Sequence, residues 1–151
     1  MEKLVIQSDI NKLVDVEKFV SAVCDVYNIN NYAATISMPL LQAVENAIVH
    51  GNCNDPSKSV TIVCDLCKGG VYFTVSDEGQ GFDYKYYESI PNEEGCGTGL
   101  FLMKTLSDKI SFQNNGSSVR MDFVINGIEA SRTLERLVAL HNYYAPRFVN
   151  A

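Results

Sequence analysis

The chain is predicted to fold as an α+β protein, a two-layer α/β sandwich in which a mixed sheet is covered by helices on one face. Three observations lead there. Segments with apolar residues at helical spacing stand apart from runs rich in β-formers, the β-rich runs come in pairs joined by Gly- or Asn-rich turns, and neither an internal repeat nor a long linker interrupts the chain. At 151 residues the length suits one domain, large enough to bury a core without disulfides or metal.

Leu4-Val5-Ile6 begins a short strand, and Ser8 or Asp9 is placed to cap the helix that follows, whose apolar positions Leu13, Val16, Phe19, Val20 and Val23 recur at helical spacing. Asn28 to Asn31 breaks it. A second helix is expected from about Tyr32 to Val49, with a kink or a fresh start near Ser37 because of Pro39, and with Gly51 as its C-terminal cap. Ser59 to Leu66 and Val71 to Ser76 read as a hairpin around Lys68-Gly69-Gly70. After a polar, aromatic loop, Thr98 to Leu106 reads as helix. Ile110 to Gln113 and Val119 to Ile125 form a second hairpin around Asn114-Asn115-Gly116, and Glu129 to Asn142 a final helix.

Composition excludes several classes. With 46% hydrophobic and 20% charged residues the chain matches an ordinary globular protein, and no apolar run reaches the roughly 20 residues that cross a bilayer. A net charge of -6 argues against a nucleic-acid surface, which needs a basic patch. The acidic start of the chain is unlike a signal peptide, so a cytoplasmic location is expected. Cys24, Cys53, Cys64, Cys67 and Cys96 are odd in number and irregular in spacing, which favours free thiols over a disulfide framework. Cys64 and Cys67 have metal-like spacing, but on a strand residues three apart point to opposite faces.

Three short motifs carry the chemistry. On the second helix Gln42, Asn46 and His50 share a polar stripe beside the apolar stripe of Leu40, Leu41, Val44, Ala47 and Ile48. Such a stripe is either plain solvent-facing surface or one edge of a site, in which Asn46 offers a neutral oxygen to a magnesium ion. Asp77-Glu78-Gly79-Gln80-Gly81-Phe82 follows a strand. As a plain turn it needs no function, but Gly79 and Gly81 also suit a tight passage beneath a flat ring, with Asp77 accepting from the exocyclic amine of a purine. Gly95-Cys96-Gly97-Thr98-Gly99-Leu100 opens a helix without the preceding first strand of a dinucleotide fingerprint. Its context is that of a mobile lid ending where backbone amides and the helix dipole meet phosphate charge. Each motif alone is weak, and together they read as an ATP site.

The order of these motifs resembles the GHKL superfamily of ATPases with the Bergerat fold, and within it the small anti-sigma factors that are also serine-protein kinases. The resemblance covers residues 40 to 105, and Gly116-Ser117 in the final hairpin extends it to about Ile125. It implies that Asn46 coordinates magnesium, that Asp77 contacts adenine within a pocket shaped by Gly79, Gly81 and Phe82, and that Gly95, Gly97, Thr98, Gly99 and Leu100 hold phosphates. His50 and Ser117 would complete the nucleotide site, and Asp83 to Glu94 would be the ATP lid. Residues 1–127 would form the ATP-binding domain and 128–151 a helical extension of it. That extension either closes the domain's own core or docks a partner or a second copy of the chain.

One position departs from the serine-kinase pattern. Where that branch has a general-base glutamate four residues before the asparagine, this chain has Gln42, whose amide orients a nucleophile but does not take its proton near neutral pH. Glu45 is offset by about 100° around the helix and does not simply replace it. Three functions follow from the resemblance: an anti-sigma-type protein that binds a sigma factor or STAS-type anti-anti-sigma partner and phosphorylates the latter, a sensor that binds ATP without phosphoryl transfer, or a free-standing histidine-kinase catalytic domain.

Overall fold

The computed structural model describes residues 1–82 and 98–125, with positions 138, 139, 141 and 142. Strand β1 is Glu2–Gln7 and is followed by two helices, α1 over Leu13–Tyr27 and α2 over Ala33–Asn46. Strands β2, Ser59–Cys67, and β3, Gly70–Ser76, form a hairpin. Helix α3, Thr98–Leu106, leads to β4, Lys109–Gln113, and β5, Ser118–Val124. The five strands lie in the order β1-β2-β3-β5-β4.

The α+β class and two-layer arrangement are as expected, with one correction. Every pairing among the described residues is antiparallel, so the sheet is not mixed. Two helices between β1 and β2 bring the chain back in the opposite direction. Strands β3 and β4 do run the same way across the connection that contains α3, but β5 lies between them and pairs antiparallel with both.

Period-two alternation divides the sheet. Val60, Ile62 and Cys64 of β2, Val71, Phe73 and Val75 of β3, and Val119, Met121 and Phe123 of β5 are buried under the helices. Phe73 is the centre of this layer, edge-on to Phe19 of α1 at 6.4 Å and to Phe123 at 6.1 Å. The opposite face is polar and partly exposed, with Arg120 stacked 3.8 Å from the Tyr72 ring and paired with Asp122 at 2.7 Å. Cys64 is buried and Cys67 lies three residues along on that outer side, and no metal-holding group of three ligands forms among the described residues.

Two helix expectations change. Asp9 caps the turn that leads into α1 by accepting from Asn11 N–H at 2.9 Å, whereas Ser8 is buried and used elsewhere. Helix α2 runs unbroken from Ala33 to Asn46 and does not restart near Ser37. Pro39 is buried inside it, and the Ser37 hydroxyl donates back to the Ala33 carbonyl. At its end α2 widens into a π turn over Ala47–Gly51, closed by Asn52 N–H on Ala47 O at 2.8 Å. The expected lid, Asp83 to Glu94, and most of the final helix lie outside the described residues.

Candidate functional site

Both ends of this architecture converge on one cleft. Helix α2 and its π turn form one wall, the first turns of α3 another, and the end of β3 with the β4–β5 turn forms the floor. The cleft encloses about 430 Å³, within the usual range of small-molecule sites. Its floor is apolar, from Val75, Met103, Phe112 and Val119, and Asn46, His50, Asp77 and Ser117 supply polar groups around it.

Asp77 is held at the strand end by its backbone, with its N–H on Ser117 O at 2.9 Å, and its Oδ1 accepts from Gly79 N–H at 2.8 Å. Burial pushes its carboxyl above the ordinary aspartate value, and the Gly79 N–H and the Lys58 charge offset this only in part. The glycines make room for this packing. A Cβ on Gly51 would overlap the Asp77 carboxylate, and one on Gly79 would overlap the Gly51 carbonyl. Gly81 has φ of +84°, and a Cβ there would strike the Asn115 carbonyl. Phe82 then ties the loop to the opposite turn, its N–H on Asn115 O at 2.9 Å and its ring edge-on to Phe112 at 5.4 Å.

On the helical wall, Asn46 places Nδ2 4.0 Å from Met103 Sδ of α3, and His50 is exposed at the rim. Gly99 and Leu100 line the cleft from the start of α3. A Cβ on Gly99 would lie 2.9 Å from Gln42 Oε1 and 3.5 Å from Asn46 Nδ2, so the two walls touch where Gln42 stands. Glu45 is not among the lining residues.

Residues 6–123 match the model of the histidine kinase-like ATPase domain. The chain belongs to this family. It is also 33% identical over 100 residues to an anti-sigma F factor of Clostridium perfringens, covering 60% of this chain and 71% of that protein. An anti-sigma F factor of Geobacillus stearothermophilus is 33% identical over 87 residues, 52% of this chain and 60% of its own. One from Clostridium botulinum is 32% identical over 89 residues, covering 53% and 62%.

As a histidine kinase-like ATPase domain, the chain binds ATP, and the cleft fits that ligand. A floor without polar groups, a carboxylate at one edge and backbone that approaches closely through Gly51, Gly79 and Gly81 suit a flat base with an exocyclic amine. Of the residues expected from sequence, Asn46, His50, Asp77, Gly81, Phe82, Gly99, Leu100 and Ser117 line the cleft, and Gly79 packs directly behind Asp77. Gly95, Gly97 and the Thr98 side chain lie outside the described residues. Sequence reasoning missed the apolar floor, because Met103, Phe112 and Val119 are indistinguishable from core until the strand order is known. It also gave Gly51 only the role of a helix cap.

Proposed function

We propose that this ATPase domain is a nucleotide-dependent regulatory protein of the anti-sigma type, which binds a sigma factor or a STAS-type anti-anti-sigma partner in the cytoplasm. The observation that carries this reading is the joining of Asn46, Asp77 and the close-approach glycines in one cleft of a chain similar over more than half its length to anti-sigma F factors. Asp77 would accept from the adenine amine, Phe82 and the apolar floor would hold the ring, and Ser117 and the start of α3 would face the remainder of the nucleotide. Asn46 would supply a neutral oxygen to a magnesium ion, whose charge and the bound triphosphate would provide a transferable phosphoryl group. Gly95, Gly97 and Thr98 belong to this proposal as phosphate-binding residues, Asp83 to Glu94 as the lid, and residues 128–151 as an extension of the domain available for self-association.

The test has two parts. Calorimetry with ATP and magnesium should show binding that Asn46→Ala and Asp77→Ala each weaken by at least about tenfold, on the scale of a lost charge-assisted hydrogen bond. Capture from native lysate with and without ATP should recover a sigma factor or STAS-type protein in a nucleotide-dependent way. Absence of ATP binding would overturn the reading.

A second reading, binding without phosphoryl transfer, is favoured by Gln42. Its amide lies at the α2–α3 contact, it stands where the resemblance to the serine kinases implies a base, and neither Gln42 nor Glu45 lines the cleft. Native protein should therefore transfer little or no label from γ-labelled ATP to a STAS-type partner. Gln42→Glu should raise that transfer by about 10²-fold or more, the usual contribution of a general base. Equal transfer by both proteins would remove the second reading.

A further inference from the structure

Asn52 lies behind the cleft and is not one of its lining residues, yet its relative exposure is 0%. Three hydrogen bonds hold its side chain: Nδ2 donates to Ser8 Oγ at 2.8 Å and to Ser59 O at 3.0 Å, and Oδ1 accepts from Glu78 N–H at 2.8 Å. Its backbone is set by the π turn, whose closing bond is Asn52 N–H to Ala47 O.

These contacts determine where the neighbouring aspartate stands. The N–H of Asp77 is fixed on Ser117 O, and the next N–H, that of Glu78, is fixed on Asn52. Peptide groups are planar, so anchoring both amides that flank Asp77 leaves its φ and ψ little freedom and fixes the direction of its Cα–Cβ bond, from which the Gly79 N–H can hold the carboxylate. Glu78 is tied a second time, its Oε2 accepting from Ser59 N–H at 2.5 Å. The Gly79 N–H, free to turn back only once Glu78 is placed, then donates to Asp77 Oδ1.

We propose that Asn52 is a positioning residue for base recognition: through the Glu78 amide it aims the Asp77 carboxylate, and so sets the preference for a 6-amino over a 6-oxo purine. This rests on the reading of Asp77 as the base acceptor. Inosine triphosphate is the probe, because it differs from ATP in carrying an oxygen at position 6 and a hydrogen on N1. An oxygen there cannot donate to a carboxylate placed to meet the exocyclic amine, and the only donor nearby, N1–H, lies at a different position on the ring.

The experiment compares the ratio of ATP to inosine triphosphate affinities by calorimetry in the native chain, Asn52→Ala and Ile62→Val. Both nucleotides bind the folded state alone, so partial unfolding scales the two affinities equally and cancels in the ratio. Native protein should prefer ATP by about a hundredfold, and Asn52→Ala should cut that preference about tenfold. Ile62→Val, a core change at a residue that does not line the cleft, should leave it intact. A native preference that Asn52→Ala retains would overturn the positioning role alone. Equal binding of the two nucleotides by the native chain would overturn the role of Asp77 as well. If Asn52→Ala does not fold, Ser8→Ala reads the same arrangement from its far end, and the preference should fall about threefold, with an unchanged ratio counting against the proposal.

Discussion

Asp77 holds a proton more readily in the fold than in water, because burial opposes its charge more strongly than Gly79 N–H and Lys58 support it. The native state therefore binds that proton more tightly than the unfolded chain. Below the unfolded value of 3.8 this carries no penalty, and as pH rises through the raised native pKa the carboxylate increasingly destabilises the nucleotide-free protein. Asp77→Asn should accordingly raise the thermal midpoint at pH 7 and have little effect near pH 3, a difference that calorimetric melts at the two pH values would reveal. Binding has the opposite dependence. ATP affinity should fall on acidification as Asp77 becomes protonated, beginning above the range of an ordinary carboxylate, and the Asp77→Asn variant should lack that component. The motif that brings Asp77 to the cleft was legible in the sequence, since a carboxylate at a strand end before Gly-x-Gly is a local pattern. The connection of Asn52 to it was not, because Ser8, Ser59 and Glu78 are brought to Asn52 only by the pairing of β1 with β2 and the fold of the loop after β3.

Among the elements, the loop from Asp77 to Phe82 and the β4–β5 turn act as one unit. Asp77 N–H bonds Ser117 O, Phe82 N–H bonds Asn115 O, and Gly116, with φ of +94°, lets the Phe82 ring lie against the turn. Gly81→Ala would place a methyl on the Asn115 carbonyl in a left-handed conformation, so it should separate these two segments. The expected result is a loss of stability of about 1–3 kcal/mol in urea unfolding, together with weaker ATP binding. Among the described residues the strands were readable from periodicity and turn residues to within one or two positions, and α2 ended at Asn46, three residues before the expected Val49. The order of the strands was not, since alternation reports which residues face inward and says nothing about which strand lies beside which. The π turn also escaped, as Ala47-Ile48-Val49-His50-Gly51 carries an apolar and polar pattern compatible with an ordinary helix end.

At the scale of the molecule, the core and the cleft share a sheet. Phe73, wholly buried between Phe19 and Phe123, stands one inward position before Val75 on the strand that Asp77 directly follows. Phe73→Ala should reduce stability by about 3–5 kcal/mol, read as a lower urea midpoint with an unchanged m-value. Saturating ATP should recover part of that loss, because a ligand specific to the native state stabilises it by mass action. The π turn has a consequence of a different kind, for chain length. It accommodates one residue more than a regular helix would between Ala47 and Asn52, and the segment after it is tied down, with Asn54 N–H on Ile48 O at 2.8 Å and Lys58 N–H on Asp55 O at 3.0 Å. Loss of a single codon, that of Val49, would thus make α2 more regular and leave every strand pairing in place. The Asn52 N–H bond to Ala47 O would then span four residues, as in an α-helix, so Gly51 and Asn52 would keep their place beside Asp77. In this fold the wide turn is the point where α2 can lose a residue without moving the groups behind the cleft.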